Sequence, residues 1–117
     1  MPNQVITADT IVVHGRGSLS LPYQVKNATG TRVDISGWNI IFEVDGVPIS
    51  TALVADPNDA QGLLIELTRA QIATLKTKAT RFAVIDVRNE TKPVVLWEGT
   101  IRRSGYAGDP DAVDDPA

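Results

Sequence analysis

Cysteine is missing from this chain altogether. Its absence excludes zinc fingers, thiol catalysis, redox motifs and a disulfide scaffold, and leaves the redox compartment unreadable. No apolar run approaches the roughly 20 residues that a bilayer-spanning helix needs. The opening stretch, MPNQVITADT, has neither a basic n-region nor an apolar core, so no secretory signal is read and a soluble protein is expected. A basic stripe is lacking too. Lys and Arg are scattered, and Asp109, Asp111, Asp114 and Asp115 carry so much of the net charge of −3 that the remainder sits at +1. Nucleic-acid affinity depends on clustered cations, so no nucleic-acid partner and no membrane partner are expected. A near-neutral domain more often meets other proteins.

What is present is an ordinary core. Of the 117 residues, 43% are hydrophobic, and a chain this size buries roughly two thirds of its unfolded surface. One domain is expected over residues 18–106. An N-terminal arm or edge strand (1–17) precedes it and an acidic, flexible tail (107–117) follows, because "AGDPDAVDDPA" has almost nothing to bury.

The period along the chain is two. Leu19, Leu21, Tyr23 and Val25 alternate with Ser18, Ser20, Gln24 and Lys26, as in a half-buried strand, and Pro22 places that strand at an edge or bulge. "KNATGTRVDISG" is turn chemistry joining two strands, since Asn and Gly tolerate left-handed dihedrals. Trp38, Ile40, Phe42 and Val44 share the next inward face. Asp45-Gly46 reads as a tight type I′ hairpin turn, with Val47 to Val54 returning antiparallel and Pro48 again hinting at an edge. Leu63, Ile65 and Leu67 form a third face. Thr68-Arg69-Ala70-Gln71 fits a capping box opening one short helix near residues 68–75, about two turns long. Arg81 to Arg88 and Val95 to Ile101 are the last strands. Six or seven strands, one short helix and no helix–strand alternation predict an all-β, antiparallel sandwich or partly open barrel.

Chemistry-bearing residues are few. His14, the single histidine, sits beside two glycines with no motif around it and reads as a turn or surface residue rather than a general base. Glu43 and Glu66 lie on solvent-facing registers. Asp86 shares a face with Phe82 and Val84, which implies an arginine partner. With Glu98, these carboxylates read as structural rather than as a glycosidase pair. "DPNDAQG" places Asp56, Asn58 and Asp59 ahead of Gly62, but the EF-hand spacing and its chelating glutamate are missing, so it reads as a turn. Asn27-Ala28-Thr29 and Asn89-Glu90-Thr91 read as turns rather than glycosylation sites, and "HGRGS" is no P-loop. Trp38 and Trp97 fall on apolar registers and are expected to fill the core; a stacking platform for a glycan is the alternative. No catalytic, cofactor-binding or metal-ligating residue is assigned, and no cofactor is expected.

The order of these pieces resembles a known family. "LPYQVKNATGTRVDISGWNIIFEV", "GLLIELTRAQIATLKTKATRFAVIDV" and "VVLWEGTIRR" together resemble the immunoglobulin-like N-terminal domain of phage baseplate upper proteins and related small tailed-phage virion proteins, over roughly residues 18–106. The resemblance implies an immunoglobulin-like sandwich and a non-enzymatic structural component of a tailed-phage virion, of tail or baseplate type. Such a component is assembled in the host cytoplasm, forms a homo-oligomer and docks to other virion proteins. Capsid decoration, head-to-tail joining and glycan-binding adhesion remain the alternatives. Arg102, Arg103 and the acidic tail would be rim contacts.

Overall fold

The computed structural model describes residues 4–7 and 9–104. Strands dominate: β1 (Gln4–Thr7), β2 (Thr10–His14), β3 (Leu19–Tyr23), β4 (Val25–Lys26), β5 (Arg32–Val33), β6 (Ile40–Val44), β7 (Ile49–Ala52), β8 (Val54–Asp56) and β9 (Asp59–Leu67) precede the only helix among the described residues, α1 (Arg69–Ile72), which leads to β10 (Thr80–Asp86) and β11 (Val94–Ser104). The larger sheet runs β1-β2-β11-β10-β6-β7, the smaller β3-β9-β8, and β4-β5 is a separate small hairpin. The fold is an all-β sandwich. Strands β3-β9-β8 form one layer of it and β11-β10-β6-β7 lie in the other.

One core joins the two sheets. Ile11, Phe42, Phe82, Val84 and Ile101 from the larger sheet and Leu19, Leu63, Ile65 and Leu67 from the smaller belong to the same buried cluster. Phe42 and Phe82 stack with centroids 5.3 Å apart, and Trp97 meets Phe82 edge-on at 4.8 Å. Each fully buried Leu, Ile or Phe side chain contributes about 1.5–3 kcal/mol relative to exposure. The alternations read from sequence follow this division: Ile40, Phe42 and Val44 are buried, as are Leu63, Ile65 and Leu67.

Several details depart from the sequence reading, each for a local reason. Eleven strands are described rather than six or seven, because pairing is interrupted where alternation continues. Gln24 separates β3 from β4, and Leu53 separates β7 from β8 as the chain crosses between sheets. At that crossing Leu53 donates its amide to the Ile40 carbonyl at 2.9 Å. The Asp45-Gly46 turn is wider than a two-residue type I′ turn: Val44 pairs with Ile49, so four residues form the connection. Gly46 takes φ +76° within it, and the Asp45 amide is held by the Arg81 carbonyl at 2.9 Å. The helix spans four residues rather than two turns, although its capping box is complete, with Thr68 Oγ1 accepting from the Gln71 amide and Gln71 Oε1 from the Thr68 amide. One ladder is parallel: β11 runs alongside β2 from Thr100/Thr10 to Ser104/His14.

The N-terminal segment read as an arm or edge strand divides in two. β1 is the outermost strand, whereas β2 lies between β1 and β11 with Ile11 and Val13 fully buried. β3 does lie at a sheet edge, the place where a strand tolerates a proline such as Pro22. The acidic segment 107–117 lies outside the described residues.

Candidate interaction surface

Most polar groups singled out in the sequence are committed to holding the fold. In "NATG", Asn27 Oδ1 accepts from the Thr29 and Thr31 amides and the Thr29 hydroxyl, and Gly30 turns at φ +82°. Asn89 holds Thr91 in the same way. In "DPNDAQG", Asp56 Oδ1 accepts from the Asn58 amide and Asp59 Oδ1 from the Gln61 amide, while Arg32 is ion-paired to the other Asp59 oxygen. The Arg32 guanidinium holds the Asp59 carboxyl below the usual carboxylate range. These oxygens are turned to amides and a guanidinium rather than to a common centre. No group of three His, Cys, Asp or Glu gathers as a metal site among the described residues.

Asp86 is the most buried carboxylate among the described residues and has the expected arginine. Arg88 donates Nη2 to Asp86 Oδ2 at 2.8 Å and Nε to Oδ1 at 3.0 Å, a bidentate pair that holds Asp86 below its usual pKa. The same guanidinium lies 3.4 Å from the Trp38 ring centroid. Trp38 is thus capped by a cation, and it flanks the core rather than filling it. Trp97 is also half-buried. Its indole N–H donates to Asp9 Oδ1 at 2.8 Å, and its ring packs on Phe82 and lies 6.1 Å from that of Tyr23. Both indoles have occupied faces, the opposite of an open sugar platform.

Two further residues sit differently from the sequence reading. Arg103 is not a rim residue: it is 3% exposed, on the inward register of β11, and its Nε donates to the Leu75 carbonyl at 3.2 Å. It caps the chain beyond α1, where carbonyls lack helical partners. His14 ends β2, with Nδ1 accepting from the Arg16 amide at 3.1 Å. Sequence reasoning also passed over Asp9 and Gly99. The Asp9 carbonyl accepts from the Thr100 amide at 2.8 Å, and a Cβ placed on Gly99 would lie 2.0 Å from that carbonyl oxygen. Only the glycine in "WEGT" hinted at a close approach.

The outer face of the larger sheet is where charge is left over. Glu43 on β6, Ala83 on β10 and Glu98 on β11 lie side by side in register, with Ser50 of β7 next to Glu43. Arg81 is two residues from Ala83 on the same face and pairs with Thr100. Neither Arg81, Glu43 nor Glu98 forms an ion pair or side-chain hydrogen bond among the described residues. Shallow depressions of about 370 and 290 Å³ share Arg81 and Glu98 along their walls; one extends to Glu43 and Asp45, the other to Asp9 and Thr100. One row beyond Ala83 the face becomes apolar, with Ile41, Ile85 and Val95 in register. Val95 is 54% exposed and the adjacent Val94 53%. A bulge brings Val95 into that row, since Leu96 is an extra residue on β11 between the Val84–Trp97 and Ile85–Val95 pairs.

No helix among the described residues is long and apolar enough to cross a membrane. No family model, curated protein or solved structure matches the chain.

Proposed function

We propose that this chain is a non-enzymatic structural component of a tailed-phage particle, of tail or baseplate type, working through self-association and docking to other particle proteins. The observation that carries the reading is the outer face of the β11-β10-β6-β7 sheet, with three charges in adjacent rows that make no ion pair among the described residues and the half-exposed Val95 one row beyond. Such a face suits protein contact: an apolar side chain supplies burial, and charges fix register and partner choice. The sandwich frame supports the reading as well, because it presents broad sheet faces and edges at β7 and β3 that can accept a neighbouring strand.

The test is the mass of the purified chain by light scattering over a concentration series. A discrete oligomer of fixed stoichiometry is expected, in keeping with closed symmetry. A chain that stays monomeric at every concentration would remove self-association from this reading.

A further inference from the structure

The self-association proposed above can be given a surface and a symmetry. We propose that two copies of this chain pair through the outer face of the β11-β10-β6-β7 sheet, about a two-fold axis that lies across the strands between Arg81 and Ala83, so that Arg81 of each copy enters between Glu43 and Glu98 of the other.

The geometry follows from the register. Glu43, Ala83 and Glu98 are directly opposed on three neighbouring strands. Strands lie about 4.8 Å apart, so the two carboxylate-bearing positions are separated by roughly 10 Å with a methyl side chain between them. That is a slot with acidic walls and a small floor, wide enough for a guanidinium. Arg81 stands two residues along β10 on the same face, roughly 6.6 Å from Ala83. A two-fold axis across the strands keeps each strand opposite its own copy and exchanges the Arg81 row with the Ala83 row. It therefore sets each Arg81 over the opposing Ala83, flanked by both glutamates.

The contact is isologous, as a two-fold requires, and each copy supplies both the cation and its slot. Among the described residues of one copy these three side chains make no ion pair, so pairing would neutralise charge that the fold leaves unused. A guanidinium between two carboxylates also forms charge-assisted hydrogen bonds that a lone surface pair does not. The exposed Val95 lies one row from the slot and gains cover in the same contact. A second copy is favoured over an unrelated partner because the face is complementary to itself under one simple rotation.

Four strands about 4.8 Å apart and about five residues long give a face of roughly 20 by 17 Å, or ~350 Å² per copy, smaller than the ~800 Å² per partner of a standard interface. Pairing is therefore expected in the micromolar range or weaker, and to weaken further with salt.

Sedimentation equilibrium at low salt tests this, using three proteins of full length: wild type, Arg81→Glu, and the double variant Glu43→Lys/Glu98→Lys. Circular dichroism first confirms the strand signature in each, since all three positions are on the sheet surface. The wild type should populate dimers or their multiples. Each variant alone should show a Kd raised by at least about a hundred-fold, because the symmetry repeats every reversed contact. An equimolar mixture of the two variants should recover association as a heterodimer. If the wild type associates and Arg81→Glu associates equally well, this face is overturned while self-association stands. A monomeric wild type at every concentration would overturn both.

Discussion

Among the described glycines, Gly99 leaves the least room for a Cβ, and replacing it by alanine tests how β2 is held. A Cβ there would lie 2.0 Å from the Asp9 carbonyl oxygen, 2.8 Å from its carbon and 2.8 Å from its Cβ. Ordinary contact begins near 3.4 Å, and the obstacle is backbone, so Asp9 must move by more than an ångström. That displacement breaks two hydrogen bonds, Thr100 amide to Asp9 carbonyl and Trp97 indole N–H to Asp9 Oδ1, each 2.8 Å long. At about 1 kcal/mol apiece they account for about 2 kcal/mol. Loosening the start of β2, whose Ile11 is fully buried, brings the expected loss to about 3 kcal/mol. Urea denaturation followed by tryptophan emission measures it directly, because Trp97 reports on the broken contact. Asp9→Ala is the control: it removes only the side-chain acceptor and should cost about 1 kcal/mol. If Gly99→Ala costs no more than Asp9→Ala, the close approach is not what ties β2 to β11.

The Asp86–Arg88 pair gives the fold an acid-side pH dependence. Asp86 has its pKa lowered in the folded state, chiefly by the Arg88 side chain, so its contribution is present above the ordinary carboxylate value and is lost as pH falls through the folded pKa. Asp86→Asn should be less stable than wild type at pH 7 by about 2 kcal/mol, with the gap closing as both are titrated below about pH 4; a gap that is constant with pH refutes the pairing. Arg88→Ala should raise the Asp86 pKa followed by carboxyl NMR, and an unmoved titration would contradict the assignment. Thr68→Ala removes one half of the capping box and should cost about 1 kcal/mol in a denaturant titration; no change would mean that packing of Ile72 alone holds α1.

Much of the fold could be read from the residues because the period-two pattern is written clearly where one strand face is buried and the other wet. Leu19 to Val25, Trp38 to Val44 and Leu63 to Leu67 are such stretches, and their faces agree with the structure. The helix announced itself by Thr68 and Gln71, a local signal fixed by hydrogen bonds three residues apart. Long-range facts were harder. Nothing near Ile11 to Val13 says that this run pairs in parallel with β11, because the partner lies about ninety residues away and parallel pairing leaves no turn signature. The crossing at Leu53 looked like an unbroken strand since its side chain is apolar on both readings. Arg103 looked like a surface residue, as arginines normally are; only its inward register on β11 reveals that it caps a carbonyl. The slot at Ala83 was likewise invisible, because Glu43 and Glu98 are 55 residues apart and only the sheet register brings them to either side of one alanine.

The measurement that bears most directly on the proposed function is the protein inventory of purified phage particles made where the gene for this chain is expressed. Quantitative mass spectrometry of purified particles should find the chain at a fixed copy number, a whole multiple of the symmetry order of the part it belongs to, and disrupting its gene should yield particles lacking that part. Intact, infectious particles that contain none of the chain would contradict the account.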